Sequence, residues 1–383
     1  MKRALLNTLQ FLLFLSIGFG ILFLVFQHQE KAYLESCCLD LHPDWNNLTD
    51  ASARQTLLDN CRLQWSAETS ENCPALMQKL VDDFGKTRFG WLGLVLLAFL
   101  VSNISRAYKW RMLLSPLGYR PSFGNSFLSI LVGYFANLGL PRMGEVVRGG
   151  LLSKYEDIPM QKVMGTIVTD RLVDILCLGL TFLVALLFEF NKISGFIQDA
   201  MSSASPEADM ESGPSTLLGL SAAALSLLFL AMAYLHRQRI WNSKPARKII
   251  DLLNGFWEGL QTIRRLEKPA YFLLHSLNIW FMFFLMTWLG FQAFDPTVHL
   301  GFRAALTVFV FGTLGFVIPS PGGMGTFHFL VISALTAFYD VRGDDAFSMA
   351  NIIFFSVQIG FNALLGMAAL LMLPILNKRN PAR

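Results

Sequence analysis

The chain has 383 residues, of which 54% are hydrophobic and only 15% charged, with 34 phenylalanines. Soluble domains rarely combine so few charges with so many aromatics, and apolar runs of about 18 or more residues, enough to span a bilayer core as a helix, recur. The formal net charge of +4 is small and gives no sign of nucleic-acid binding.

The first apolar run, from Ala4 to Phe26, follows Met1-Lys2-Arg3. It is longer than the core of a signal peptide and lacks a small-x-small cleavage site, so residues 1–27 are expected to form a retained anchor helix. Residues 28–88 form a polar segment with ten acids, six Lys/Arg and four cysteines, Cys37, Cys38, Cys61 and Cys73. An even cysteine count in a short polar loop suggests disulfides in an oxidising compartment, each of Cys37 and Cys38 pairing across to Cys61 or Cys73. The rival reading, a zinc site, lacks a C-x-x-C pair, so no metal or other cofactor is expected.

Further apolar runs follow at about 89–105, 122–140, 163–190, 215–235, 269–294, 303–318, 326–339 and 347–376. Lys/Arg-rich loops stay cytoplasmic. On that rule the 102–121 segment, with Arg106, Lys109, Arg111 and Arg120, is inside. So are the 237–268 segment, with eight Lys/Arg against three acids, and the 377–383 tail. The 28–88 and 191–214 loops are outside. These assignments conflict if every run crosses the membrane once. They agree if 122–162 enters from the cytoplasm and returns, broken at Asn137–Pro141, and if 303–339 does the same from outside, broken at 318–325. The fold class expected is an all-α polytopic membrane protein, with about six full transmembrane helices plus two inverted re-entrant hairpins. A domain of 89–376 would sit in an inner (cytoplasmic) membrane with both termini cytoplasmic. The plainer alternative is ordinary helices joined by tight loops.

Irregular backbone at membrane depth must face protein or a water-filled cavity, and Gly/Pro-broken helices in inverted pairs point to a transport site. Pro141 suits the first position of the returning helix, which then carries Arg142, Gly144, Glu145 and Arg148. Gly322, Gly323 and Gly325 after Pro321 permit the second turn. Each break would offer a helix N-terminus with unpaired N–H groups to an anion. Arg142, Glu145 and Arg148 share one helical face by i, i+3, i+6 spacing, and Asp170, Arg171 and Asp174 pair by i, i+4 and i, i+3 spacing. Charges in a bilayer are costly, so these six are expected to neutralise one another in the interior while leaving arginine forks suited to phosphate. Interfacial salt bridges without a ligand are the alternative. His328, one turn past the second break, either faces it and titrates near neutrality or is simply packed. Residues 237–268 read as a basic amphipathic helix on the inner leaflet, or as a solvated connector.

The blocks NLGLPRMGEVVRGGLL, VTDRLVDILCLGL and PSPGGMGTFHFL, in that order, resemble the signatures of the flippase-like membrane domain. That domain forms the membrane part of lysylphosphatidylglycerol synthase/flippase, and the resemblance runs from about residue 89 to 375. It implies movement of a lipid between leaflets and points by position to Asn137, Pro141, Arg142, Gly144, Glu145 and Arg148. It adds Asp170, Arg171, Asp174, Pro321, Gly322, Gly323 and Gly325. Many members carry Glu where this chain has His328, and the cysteine-bearing 28–88 insert is unusual. The expected partner is a membrane lipid with an anionic or aminoacylated headgroup, with room for a homo-oligomer. No nucleotide-binding G-x-x-x-x-G-K-[ST], no H-E-x-x-H and no G-x-S-x-G motif occurs, so no enzyme is expected. A non-transporting accessory or scaffold protein is the alternative function.

Overall fold

Apolar residues with few charges over a long stretch leave a chain no option in lipid but to satisfy its backbone internally, as helix. The computed structural model bears this out. It describes residues 75–139, 143–190, 266–317 and 320–378, helical residues 20–31, and positions 16, 33 and 56. No strand occurs among them. From residue 75 the described residues form ten α-helices: α1 (Leu76–Lys86), α2 (Phe89–Leu114), α3 (Phe123–Gly139), α4 (Met143–Glu156), α5 (Met160–Phe188), α6 (Pro269–Ala293), α7 (Phe302–Val317), α8 (Thr326–Tyr339), α9 (Gly343–Ile353) and α10 (Asn362–Lys378). A π-helical stretch, Phe354–Phe361, joins α9 to α10 into one rod of 36 residues.

Among the described residues, four helices are long and apolar enough to cross a membrane: α2, α5, α6 and the α9–α10 rod. Each connects two polar ends of the bundle. At one end Ser115 Oγ donates to Glu267 Oε1, Ser122 Oγ and Asn125 Nδ2 donate to Glu156 Oε1, and Asn125 pairs reciprocally with Asn377. At the other end Arg88 pairs with Asp295, and Lys79 bridges α1 to the start of α9 through Asp345.

The shorter helices form two pairs. The 2.7 Å bond from Asn125 to Glu156 puts the start of α3 beside the end of α4, so this pair leaves one end of the bundle and comes back to it. In α7–α8, Thr326 Oγ1 donates to Gly315 O at 2.7 Å across the break. Here glycine is a packing requirement, because a Cβ at Gly315 would lie 2.7 Å from the Phe327 backbone. The tip of the second break, Pro321–Gly323, packs against α3. Gly322, Gly323 and Gly325 all take positive φ, 58°, 80° and 81°, which L side chains rarely adopt.

One expectation is corrected. Arg106 and Lys109 are not loop charges. Helix α2 does not stop at 105 but continues to Leu114, and both side chains are buried inside the bundle. Arg111 and Arg120 still mark that end. The four loop cysteines, the 191–214 loop, the 215–235 run, most of the 237–268 segment, Pro141 and Arg142 lie outside the described residues.

Candidate functional site

Helix α2 carries Ser102, Arg106 and Lys109 at helical spacing, so all three turn toward the bundle interior. On α5, Asp170 and Asp174 are one turn apart and face them. Lys109 Nζ lies 2.7 Å from Asp170 Oδ1 and 3.1 Å from Asp174 Oδ1. Arg106 Nη1 lies 3.4 Å from Asp170 Oδ2 and 3.2 Å from Asp174 Oδ2. Lys109 has no exposed side-chain surface at all. With a rise of about 1.5 Å per residue, Arg106 sits about 12 Å from the Leu114 end of its helix.

Helix α4 adds the third side. Arg148 is buried, with Nη2 3.6 Å from Asp170 Oδ2 and its guanidinium 5.2 Å from the centre of the Trp110 ring. The indole is held in place by its own hydrogen bond, Nε1 to Thr166 Oγ1 at 3.0 Å. Neither Nε nor Nη2 of Arg148 has a hydrogen-bond partner among the described residues. Buried donors of this kind normally find one. Glu145 pairs with Arg171, which also reaches Asp174 at 3.2 Å. This last pair is the open edge of the network: Arg171 is 41% exposed and Glu145 34%.

The network therefore joins five of the sequence-expected residues, Glu145, Arg148, Asp170, Arg171 and Asp174, and adds Arg106 and Lys109. Four cations meet three carboxylates, so among the described residues it carries one formal positive charge rather than the expected zero. The signal missed in the sequence was periodicity. Ser102, Arg106 and Lys109 continue a helical face, whereas a count of consecutive apolar residues ended the helix at 105.

Asn137 and Gly144 act together in the hairpin itself. Asn137 Oδ1 accepts the Gly144 N–H at 2.8 Å, across the break. This modifies the expectation of free N–H groups at the first break, since one of the first-turn donors of α4 is already taken. Gly144 also allows the closest contact between α3 and α4, where a Cβ would come within 2.1 Å of Gly133 O. At the second break Gly323 lies under the Phe316 ring. His328 does not join the charged network. It is buried against Phe354, 4.6 Å between ring centres, and Phe327. Among the described residues no group of three or more His, Cys, Asp or Glu could hold a metal.

Residues 75–366 match the family model described as "Lysylphosphatidylglycerol synthase TM region". That is well over half the chain and includes every member of the network. The chain belongs to the lysylphosphatidylglycerol synthase transmembrane-region family. A relative from Methanocaldococcus jannaschii, the UPF0104 membrane protein MJ1595, is 36% identical over 86 residues, which are 21% of this chain and 26% of that protein. The chain thus aligns with about a quarter of the length of the curated relative it matches. No solved structure matches significantly. Membership of the lysylphosphatidylglycerol synthase transmembrane-region family and the four long apolar helices make this a multi-pass membrane protein.

Proposed function

We propose that the protein moves a phospholipid, or another lipid-linked anionic headgroup, between the leaflets of an inner membrane. In this reading α3–α4 dips in from the cytoplasmic face and α7–α8 from the opposite face. The Asn125–Glu156 contact between the start of α3 and the end of α4 supports the first hairpin, and the Lys79–Asp345 pair, which holds the start of α9 just after α8 at the α1 end, is consistent with the second. The polar ends also fit the charge rule, with both termini cytoplasmic.

The observation that carries the proposal is Arg148: a buried guanidinium whose Nε and Nη2 make no hydrogen bond among the described residues, in a network with a surplus positive charge. An unmet buried donor costs roughly 1–3 kcal/mol, more when charged, and a phosphate oxygen would remove that cost. Arginine presents planar donors that match phosphate, and Arg148 and Arg171 would hold it, joined by Arg142. Asp170 and Asp174 are committed to Arg106 and Lys109 and would fix the cations in place. Glu145, at the open edge, would meet an amine headgroup or a coupling proton. Alternating access would carry the headgroup past the two breaks.

The test is a leaflet-resolved assay with fluorescent phospholipid in vesicles holding the full chain. Wild type should equilibrate lipid between leaflets, Arg148→Gln should lose about tenfold or more of that rate while remaining folded, and deletion of 36–75 should leave it intact. Wild-type vesicles no faster than empty ones would favour the accessory-protein reading instead.

A further inference from the structure

A second charged surface lies outside the network, at the bundle end that carries Ser115 and Glu267. There α2 and the chain entering α6 leave a groove of about 210 Å³. Arg111, Arg120 and Lys268 rim it, with one acid, Glu267. Glu267 is already engaged, accepting from Ser115 Oγ at 3.1 Å and lying 3.9 Å from Arg120 Nη2. Arg111 and Lys268 form no ion pair among the described residues. Arg111 Nε donates to Pro121 O at 2.8 Å, which fixes the side chain with its guanidinium 6.0 Å from the centre of the Tyr108 ring. Lys268 Nζ sits 5.8 Å from the Tyr271 ring centre.

The floor and margins of the groove are apolar and aromatic. Tyr108 stacks on His275, with ring centres 5.6 Å apart and planes 13° apart. Met112 and Leu266 complete the lining. Toward the middle of the bundle, exposed apolar side chains continue from it: Ile104 one turn before Tyr108 on α2, and Tyr271 and Leu274 on α6. In a multi-pass protein such side chains face acyl chains. The surface is therefore cationic at the membrane boundary and apolar directly beneath, the polarity of an anionic phospholipid.

We propose that this groove binds one anionic phospholipid of the leaflet at that end, its phosphate between Arg111, Arg120 and Lys268 and an acyl chain along Ile104, Tyr108 and Leu274. The site is on the outside of the bundle. It uses the face of α2 opposite to Arg106 and Lys109, so it stands whether or not the buried network moves lipid.

The experiment is native mass spectrometry of the full chain released from vesicles of phosphatidylcholine with 30 mol% phosphatidylglycerol. Wild type should retain one phosphatidylglycerol in preference to phosphatidylcholine. Each basic residue near a membrane surface adds about fivefold to anionic-lipid binding. The double charge reversal Arg120→Glu/Lys268→Glu should therefore lower that retention by at least about tenfold, and Arg120→Gln/Lys268→Gln by an intermediate factor. Arg88→Gln, at an exposed arginine of the opposite bundle end that belongs to neither site, should retain the lipid. Undiminished phosphatidylglycerol on the charge-reversed protein, or equal retention of phosphatidylcholine by wild type, would overturn the assignment.

Discussion

At the scale of single residues, the network holds its two α2 cations by sharing two carboxylates between them. Lys109 and Arg106 are inside a bilayer-spanning helix, where an isolated charge is costly. Asp170 and Asp174 lower that cost by reaching both cations at 2.7–3.4 Å. Asp170→Asn would leave Lys109 and Arg106 sharing Asp174 and Arg148 without its one carboxylate. Removing one partner of a buried pair costs about 3–5 kcal/mol. Thermal unfolding in detergent should show a loss of that order, while Arg171→Gln, at the partly exposed edge, should cost far less. Equal shifts for the two variants would mean the network is not organised around Asp170. The acids and Arg148 were legible in the sequence as charges in apolar surroundings. Arg106 and Lys109 were not, because their positive charge also fitted a cytoplasmic loop.

Among the elements, the two broken pairs depend on glycine for different reasons. Gly144 is in α4, where the helix itself would favour alanine, yet a Cβ there meets both Gly133 O and the Asn137 side chain. Gly144→Ala must separate α3 from α4 and break the Asn137 hydrogen bond, a cost of about 1–3 kcal/mol or more. Gly150, six residues on in the same helix, has nothing within 4 Å of its would-be Cβ. Gly150→Ala should be neutral or stabilise by up to about 1 kcal/mol from helix propensity. Denaturation midpoints of the two variants would reveal the contrast, and matching values would contradict the close approach of the pair. At the second break the constraint is backbone sign, since Gly322, Gly323 and Gly325 are all at positive φ. The breaks themselves were readable from Gly and Pro. The partners of Gly144 and Gly315 were not, because a glycine in a helix carries no mark of which neighbour needs the space.

At the scale of the whole molecule, four long helices among the described residues connect the two polar ends, and the start of α3 lies beside the end of α4. Cysteines placed at Asn125 and at Glu156 should react with a membrane-impermeant thiol reagent from the same side, and labelling from opposite sides would refute the return of α3–α4. The far end has its own lock. Lys79 reaches Asp83 and Asp345 at 2.8 Å and Asp344 at 3.5 Å. Burial alone would lower its pKa, but hydrogen bonds to Asp345 and Asp83 outweigh it and hold the ammonium well above the ordinary lysine value. A raised folded pKa stabilises fully below the unfolded value and is lost as pH rises through the folded one. Stability from this lock should therefore be flat across neutral pH and fall only in strongly alkaline solution. Lys79→Met should flatten that alkaline fall in a pH series of melting temperatures, and an unchanged slope would count against the lock.

By itself, the sequence determined that this chain lies in a membrane as helices and that Gly and Pro interrupt two of its apolar stretches. Those features follow from apolar length and from Gly and Pro, which act locally. Only the tertiary structure decided that α2 buries two cations against α5, that Arg148 is left with donors to spare, and that Asn137 closes the first break. Burial and ion pairing join residues more than sixty positions apart, and the packing that brings them within 4 Å leaves no trace in local spacing.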